Sequence, residues 1–152
     1  MIRLKVPRLY RIILYVALAI SWISGITFFV FRNWVRIEGA FGPQHHPWQF
    51  SILSVHGGAG FAMMFIFGAF CAAHFPLGWR TQRLRGLGIG LVAIIGFQII
   101  TAYSLYYLAD EVSREVAGYV HLVTGIALPL VLVFHVIHGR KSNPKSVASA
   151  DK

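Results

Sequence analysis

Four long apolar runs without a charged side chain constrain this chain more than any other feature. Each reaches or exceeds the roughly 20 apolar residues that a helix needs to cross the hydrocarbon of a bilayer. We therefore predict an all-α fold, an integral membrane four-helix bundle in which the bundle takes up residues 1–140. The predicted helices cover about 12–31, 49–75, 86–108 and 116–139, and a polar tail follows at 141–152.

Composition supports a bilayer as the solvent. Of the 152 residues, 57% are hydrophobic and only 12% are charged, whereas a soluble domain is about a quarter charged. The 12 Phe, 6 Tyr and 4 Trp carry too much apolar surface for a disordered chain. The single cysteine, Cys71, excludes an internal disulfide and a thiolate metal site.

The basic residues predict the orientation of the bundle. Eleven of the fourteen precede the first run, join the second and third runs, or follow the fourth. The opposite loops carry the other three, together with four of the five acidic residues. By the positive-inside rule both termini are expected in the cytoplasm. The net charge of +9 is thus expected to mark topology in a bacterial inner membrane rather than to bind nucleic acid.

The basic start of the first run also resembles the n-region of a cleavable signal peptide. The run at 12–31 is too long for the apolar region of such a peptide, and no small-x-small cleavage site follows it. We expect it to be retained as a membrane helix.

Seven histidines are unusual in so apolar a chain, and five lie in or at the ends of the predicted helices. An imidazole inside hydrocarbon is costly unless it finds a partner. Hydrogen bonding between helices or snorkelling to the interface explains a single membrane histidine, but five on two helices favour ligands of a bound group. These five are His56, His74, His121, His135 and His138.

Depth and helical phase predict how these histidines pair. His56 and His121 lie near the outer ends of the second and fourth helices, whereas His74 and His135 lie near the inner ends. At ~100° per residue, the step from His56 to His74 returns to the same face and the step from His121 to His135 misses it by ~40°. We predict His56 with His121 as the outer pair and His74 with His135 as the inner pair. His138 fits the depth better but lies ~100° off the face, so it is the alternate to His135.

Two neutral imidazoles on facing helices, without a carboxylate or thiolate nearby, suit low-spin haem iron better than zinc or manganese. Two haem b groups are therefore predicted, the outer iron on the outer pair and the inner iron on the inner pair. Gly60 and Gly125 each follow an outer histidine by four residues. We expect these glycines to leave room for the macrocycle, with close helix packing as the alternative.

Three features resemble the small four-helix di-haem cytochrome b proteins. They are the His121-x13-His135 spacing, the Thr-x-Tyr-x-Leu-Tyr-Tyr segment at Thr101–Tyr107, and the plan with both termini inside. This cytochrome b561-like class includes cytochrome b subunits of membrane hydrogenases and formate dehydrogenases. The resemblance covers about 47–140 and implies bis-histidine haems stacked across the membrane, often beside a quinone site.

The chain departs from that pattern in its first helix. The run at 12–31 has no histidine, although the formate dehydrogenase type draws a ligand from this helix. Two ligands from each of two helices look more like the cytochrome b of bc complexes. The 14-residue spacing of that protein occurs here only on the last helix.

These features predict an electron-transfer subunit of an oxidoreductase complex rather than a complete enzyme, because the chain has no flavin, nucleotide or iron–sulfur motif. Its expected partners are membrane lipid, an external redox protein on the periplasmic side and other membrane subunits, with the quinone pool or an inner protein at the other end. No catalytic residue is predicted. The alternatives are a stand-alone quinone-linked haem oxidoreductase that resembles superoxide oxidase, a histidine-relay transporter, and a non-haem membrane anchor or assembly protein.

Some residues outside the four ligands are weaker candidates. His45 and His46 could touch a partner or a labile metal, although a polar loop is the simpler interpretation. The loop arginines could pair with haem propionates or contact lipid headgroups. These arginines are Arg32, Arg36, Arg80, Arg83 and Arg85. Three tyrosines are expected either to border a redox or quinone pocket or to form an aromatic girdle at the interface: Tyr103, Tyr106 and Tyr107.

Overall fold

The computed structural model describes residues 7–81 and 84–141, and helices account for most of them. The chain divides into two compact units, Met1–Ala69 and Phe70–Lys152. Apart from Lys141, the predicted tail lies outside the described residues. The elements are α1 (Arg8–Trp34), β1 (Arg36–Gly39), β2 (Gly42–His45), α2 (Trp48–Ala73), α3 (Phe75–Thr81), α4 (Arg85–Tyr107) and α5 (Glu111–Lys141).

Within the described ranges, four helices are long and apolar enough to cross a membrane: α1, α2, α4 and α5. The shortest of them, α4, has 23 residues. At ~1.5 Å per residue it reaches about 35 Å, more than the ~30 Å of bilayer hydrocarbon. The prediction of a helical chain with four helices of membrane-spanning length is confirmed.

The first and last of these helices begin before the apolar runs do. α1 starts at Arg8 and α5 at Glu111, whereas the apolar runs start at residues 12 and 116. The N-terminus of α5 is capped by Asp110, whose Oδ2 accepts the backbone N–H of Ser113 at 2.8 Å. A charged side chain ends an apolar run without ending a helix, so the helices extend past the segments that hydropathy marks.

The second predicted helix is divided near its end. α2 stops at Ala73, and α3 begins two residues later, because Pro76 has no N–H to donate to the carbonyl of Ala72. The chain stays helical on both sides: the His74 N–H donates to the Phe70 carbonyl at 2.8 Å, and the Gly78 N–H donates to the His74 carbonyl at 3.0 Å. Proline is tolerated in the first turn of α3, and His74 therefore lies at the junction of the two helices.

The polar stretch between α1 and α2 forms a hairpin that hydropathy alone does not indicate. β1 and β2 are antiparallel, with Gly39 opposite Gly42. Gly42 has φ of 107°, a backbone conformation that favours glycine. Across the hairpin, Nη1 of Arg36 lies 2.8 Å from Nδ1 of His45, and it also donates to the Arg32 carbonyl at 2.9 Å, which satisfies a carbonyl at the C-terminal end of α1.

Little of the described chain is buried. In the first unit, the side chains of Ala17 and Ala59 are buried, and an apolar groove of about 390 Å³ runs beside them. In the second unit, α4 packs along α5. Ser24 and Thr101 are the other two buried residues among those described, whereas thirty-six large apolar or aromatic side chains are exposed. The apolar surface of these helices thus faces outward rather than into a core.

Candidate functional site

The inner histidine pair comes together within the second unit. His74 lies at the junction of α2 and α3, and His135 lies on α5. Their ring centroids are 6.4 Å apart and the ring planes are inclined at 78°. Nδ1 of His135 is buried and has no hydrogen-bond partner among the residues that the structure describes. A buried polar atom in this position is costly unless a further group satisfies it.

The separation of the two rings matches a shared metal ion. An imidazole nitrogen binds a metal at ~2 Å, so two imidazoles on opposite sides of one ion have ring centroids about 6 Å apart. In the described ranges, no group of three or more His, Cys, Asp or Glu side chains could hold a metal ion. Two protein ligands are the number that a six-coordinate haem iron takes from a protein, and the inner pair therefore fits a haem.

The packing around His135 distinguishes it from His138. The backbone of Gly88 on α4 approaches the ring of His135, and a Cβ built on this glycine would lie 3.9 Å from Cε1. His138 is exposed, and its Nδ1 lies 3.0 Å from the carbonyl of Phe134 one turn earlier in the same helix. The structure thus brings His135, rather than His138, to His74.

His56 is held by α1 within the first unit. Its Nδ1 lies 2.9 Å from the Ser21 carbonyl and 3.3 Å from Oγ of Ser24. A Cβ built on Gly25 would come within 2.8 Å of Cε1 of His56, closer than such contacts occur. Only glycine at this position allows α1 to approach the imidazole so closely.

His121 is held by α4 within the second unit. Oγ1 of Thr101 lies 2.9 Å from Nδ1 of His121. Nε2 of Gln98 donates to the His121 carbonyl at 2.9 Å and to the hydroxyl of Thr124. Thr101 on α4 therefore contacts the imidazole of His121, and Gln98 on α4 binds the backbone carbonyl of His121.

The two predicted glycines have different surroundings. A Cβ on Gly60 would meet no atom within 4 Å, whereas a Cβ on Gly125 would lie 3.5 Å from Nε2 of Gln98. Gly125 thus gives the Gln98 amide space to reach α5, whereas none of the described residues fills the space at Gly60. The pairing of His56 with His121 and the role of both glycines at a macrocycle stay predictions.

The weaker candidates are engaged in local contacts. His45 faces Arg36 across the hairpin. Nδ1 of His46 accepts the Trp48 N–H at 3.2 Å at the start of α2.

The guanidinium of Arg85 lies 4.8 Å from the ring centroid of Trp79 and donates to the carbonyl of Trp79. The rings of Tyr103 and Tyr107 contact each other at a centroid distance of 4.5 Å, and Arg83 lies outside the described residues.

Sequence reasoning missed three residues that contact the outer histidines: Ser24, Gly25 and Gln98. It named Thr101 only as the first residue of the segment that resembles the cytochromes, and it did not predict the contact of Thr101 with His121. Ser24, Gln98 and Thr101 are polar residues within apolar runs, and that placement was a usable signal. No such signal pointed to Gly25, because the residue that it contacts, His56, lies on another helix.

Comparisons of this chain with models of known protein families, with curated protein sequences and with solved structures find no match. Its function is therefore inferred from the histidines and from the groups that contact them.

Proposed function

We propose that this protein is a membrane-embedded di-haem b cytochrome that carries electrons across the bilayer. It exchanges them with a redox protein on the outer side and with the quinone pool or an inner partner on the other. The observation that carries the proposal is the inner histidine pair. Its rings are 6.4 Å apart, and Nδ1 of His135 is buried with no hydrogen-bond partner within residues 7–81 and 84–141.

Insertion in a bacterial inner membrane is part of the proposal. Its support is the outward-facing apolar surface of four helices that are long enough to cross a bilayer. The contact of Arg85 with Trp79 is typical of a lipid headgroup region, where both residue types concentrate. The charge distribution favours a bundle with both termini inside.

His74 and His135 would hold the inner haem, and His56 and His121 the outer one. When bound, haem supplies reversible one-electron transfer at its iron. The chain's own residues would supply the imidazole ligands, and the contacts from α1 and α4 would fix the orientation of His56 and His121. Hydrogen bonds to a ligand are one of the means by which a protein tunes a haem potential.

The proposed role is that of a subunit of an oxidoreductase complex. The described loops are short, and the long elements are the four membrane-length helices. Other membrane subunits and an external redox protein would then supply and receive the electrons.

The test is a reduced-minus-oxidised visible spectrum of the detergent-purified chain, with pyridine haemochrome quantitation against protein. Two b haems per chain are expected. A chain without haem, purified from cells with an adequate haem supply, would refute the proposal and favour a membrane anchor. Turnover of quinone and superoxide by the isolated chain would instead identify a stand-alone oxidoreductase.

A further inference from the structure

Ser24 and Thr101 are the only buried polar residues in the part of the chain that the structure describes. Their exposed fractions are 8% and 7%. Each has its hydroxyl within hydrogen-bond distance of a histidine on another helix, His56 for Ser24 and His121 for Thr101. Both of these histidines are proposed haem ligands.

Each hydroxyl donates its hydrogen atom to a backbone carbonyl of its own helix. Oγ of Ser24 lies 2.6 Å from the Ile20 carbonyl, and Oγ1 of Thr101 lies 2.9 Å from the Phe97 carbonyl. A serine or threonine in a helix commonly donates to the carbonyl one turn earlier in this way. Each oxygen then presents a lone pair to the imidazole, which makes it an acceptor.

The neighbouring acceptors determine which imidazole nitrogen carries the proton. The Ser21 carbonyl can only accept, and it lies 2.9 Å from Nδ1 of His56, so that nitrogen is the donor. The same reasoning applies to Nδ1 of His121 beside the Thr101 hydroxyl. In both rings Nε2 then carries the lone pair that binds a metal.

We propose that Ser24 and Thr101 are positioning residues for the outer haem ligands: they hold His56 and His121 as Nδ1–H tautomers with Nε2 as the ligating nitrogen. This inference rests on the proposed function. It also gives α1, which has no histidine, a part in the outer site. A ligand whose second N–H has an acceptor is more basic and better oriented, and loss of such an acceptor costs about 10-fold to 100-fold in metal affinity.

The main test compares Thr101→Val, which keeps the shape without the hydroxyl, with Thr101→Ser, which keeps the hydroxyl. Ser104→Ala is the matched control, since the Ser104 hydroxyl donates to the Ile100 carbonyl of its own helix and contacts no histidine in the part of the chain that the structure describes. Haem content and midpoint potentials are measured by spectroscopic titration in detergent.

Thr101→Val is expected to weaken the binding of one haem by about 10-fold to 100-fold and to raise its midpoint potential, because the imidazole becomes a poorer electron donor. Thr101→Ser should restore both values. Ser24→Ala should shift the same haem less, because the Ser21 carbonyl still accepts from His56. A Thr101→Val protein that matches Ser104→Ala in both measurements would overturn the proposal.

A second measurement separates this inference from the proposed function. Nitrogen NMR of the histidine rings, in the reduced protein or in a haem-free chain, reports which nitrogen is protonated. Nδ1–H in His56 and His121, lost from His121 in Thr101→Val, supports the positioning role even if no haem is found. Nε2–H in either ring of the wild-type chain refutes it.

Discussion

The rings of His74 and His135 lie with their centroids 6.4 Å apart, although one residue follows α2 and the other lies on α5. This separation agrees with two imidazoles on opposite sides of one metal ion. His74 lies at the junction of α2 and α3, and His135 is less exposed on α5 than His138 is.

The two inner candidates are distinguished by alanine substitution. His135→Ala is expected to remove one of two b haems, because it deletes a ligand, whereas His138→Ala should retain both. Haemochrome quantitation of the purified variants measures the difference. Loss of haem only in His138→Ala would assign the inner ligand to His138.

Gly25→Ala is expected to disturb the outer site. The new Cβ would lie 2.8 Å from Cε1 of His56, so the ring must move away from its acceptors on α1. We expect a protein that inserts normally but contains less haem.

Gly68→Ala is the matched control for that change, because its Cβ would meet no atom of the described residues within 4 Å. Replacing glycine by alanine in a helix stabilises it by up to about 1 kcal/mol, so this variant should keep its haem and unfold at the same or a higher temperature. Equal haem content in the two variants would contradict the close approach of α1.

Gln98 is expected to contribute to the stability of the second unit. Its amide donates to the His121 carbonyl and to the Thr124 hydroxyl, and each hydrogen bond contributes about 1 kcal/mol. Gln98→Met should lower the thermal unfolding midpoint in detergent. Gln98→Glu should lower it further at neutral pH, because an oxygen acceptor replaces the donor and faces two other oxygens. An unchanged midpoint in both variants would argue against the contact.

We expect acid to reduce the stability that the Asp110 cap gives to the N-terminal end of α5. Hydrogen bonds from the hydroxyl and backbone N–H of Ser113 hold the pKa of Asp110 below its ordinary value. A carboxylate with a lowered pKa in the folded state stabilises that state above the ordinary aspartate pKa of about 4, and the contribution is lost as the pH falls through the lowered value.

The matched variant is Asp110→Asn, since asparagine also caps helices but does not titrate. The thermal midpoint of the wild-type protein should fall relative to this variant as the pH is lowered below about 4. Parallel midpoints over that range would show that the cap does not contribute through its charge.

Hydropathy located the helices because the cost of placing a segment in a bilayer depends on the segment's own side chains. It misplaced the ends of α1 and α5, where charged residues continue the helix, and it did not indicate the hairpin at 36–45. Those features depend on local hydrogen bonds, such as the one from the Ser113 N–H to Asp110.

The sequence by itself determined the number of membrane-length helices, the asymmetry of their flanking charges and the histidines available as ligands. These properties are additive along the chain, and distant contacts do not change them. Helical phase already favoured His135 over His138 as the partner of His74, whereas depth favoured His138, and the contact between the His74 and His135 rings comes only from the tertiary structure. Only the tertiary structure decided that Ser24 faces His56 and that Thr101 faces His121. These contacts depend on helix rotation and on close approach between segments distant in sequence, which a local pattern does not determine.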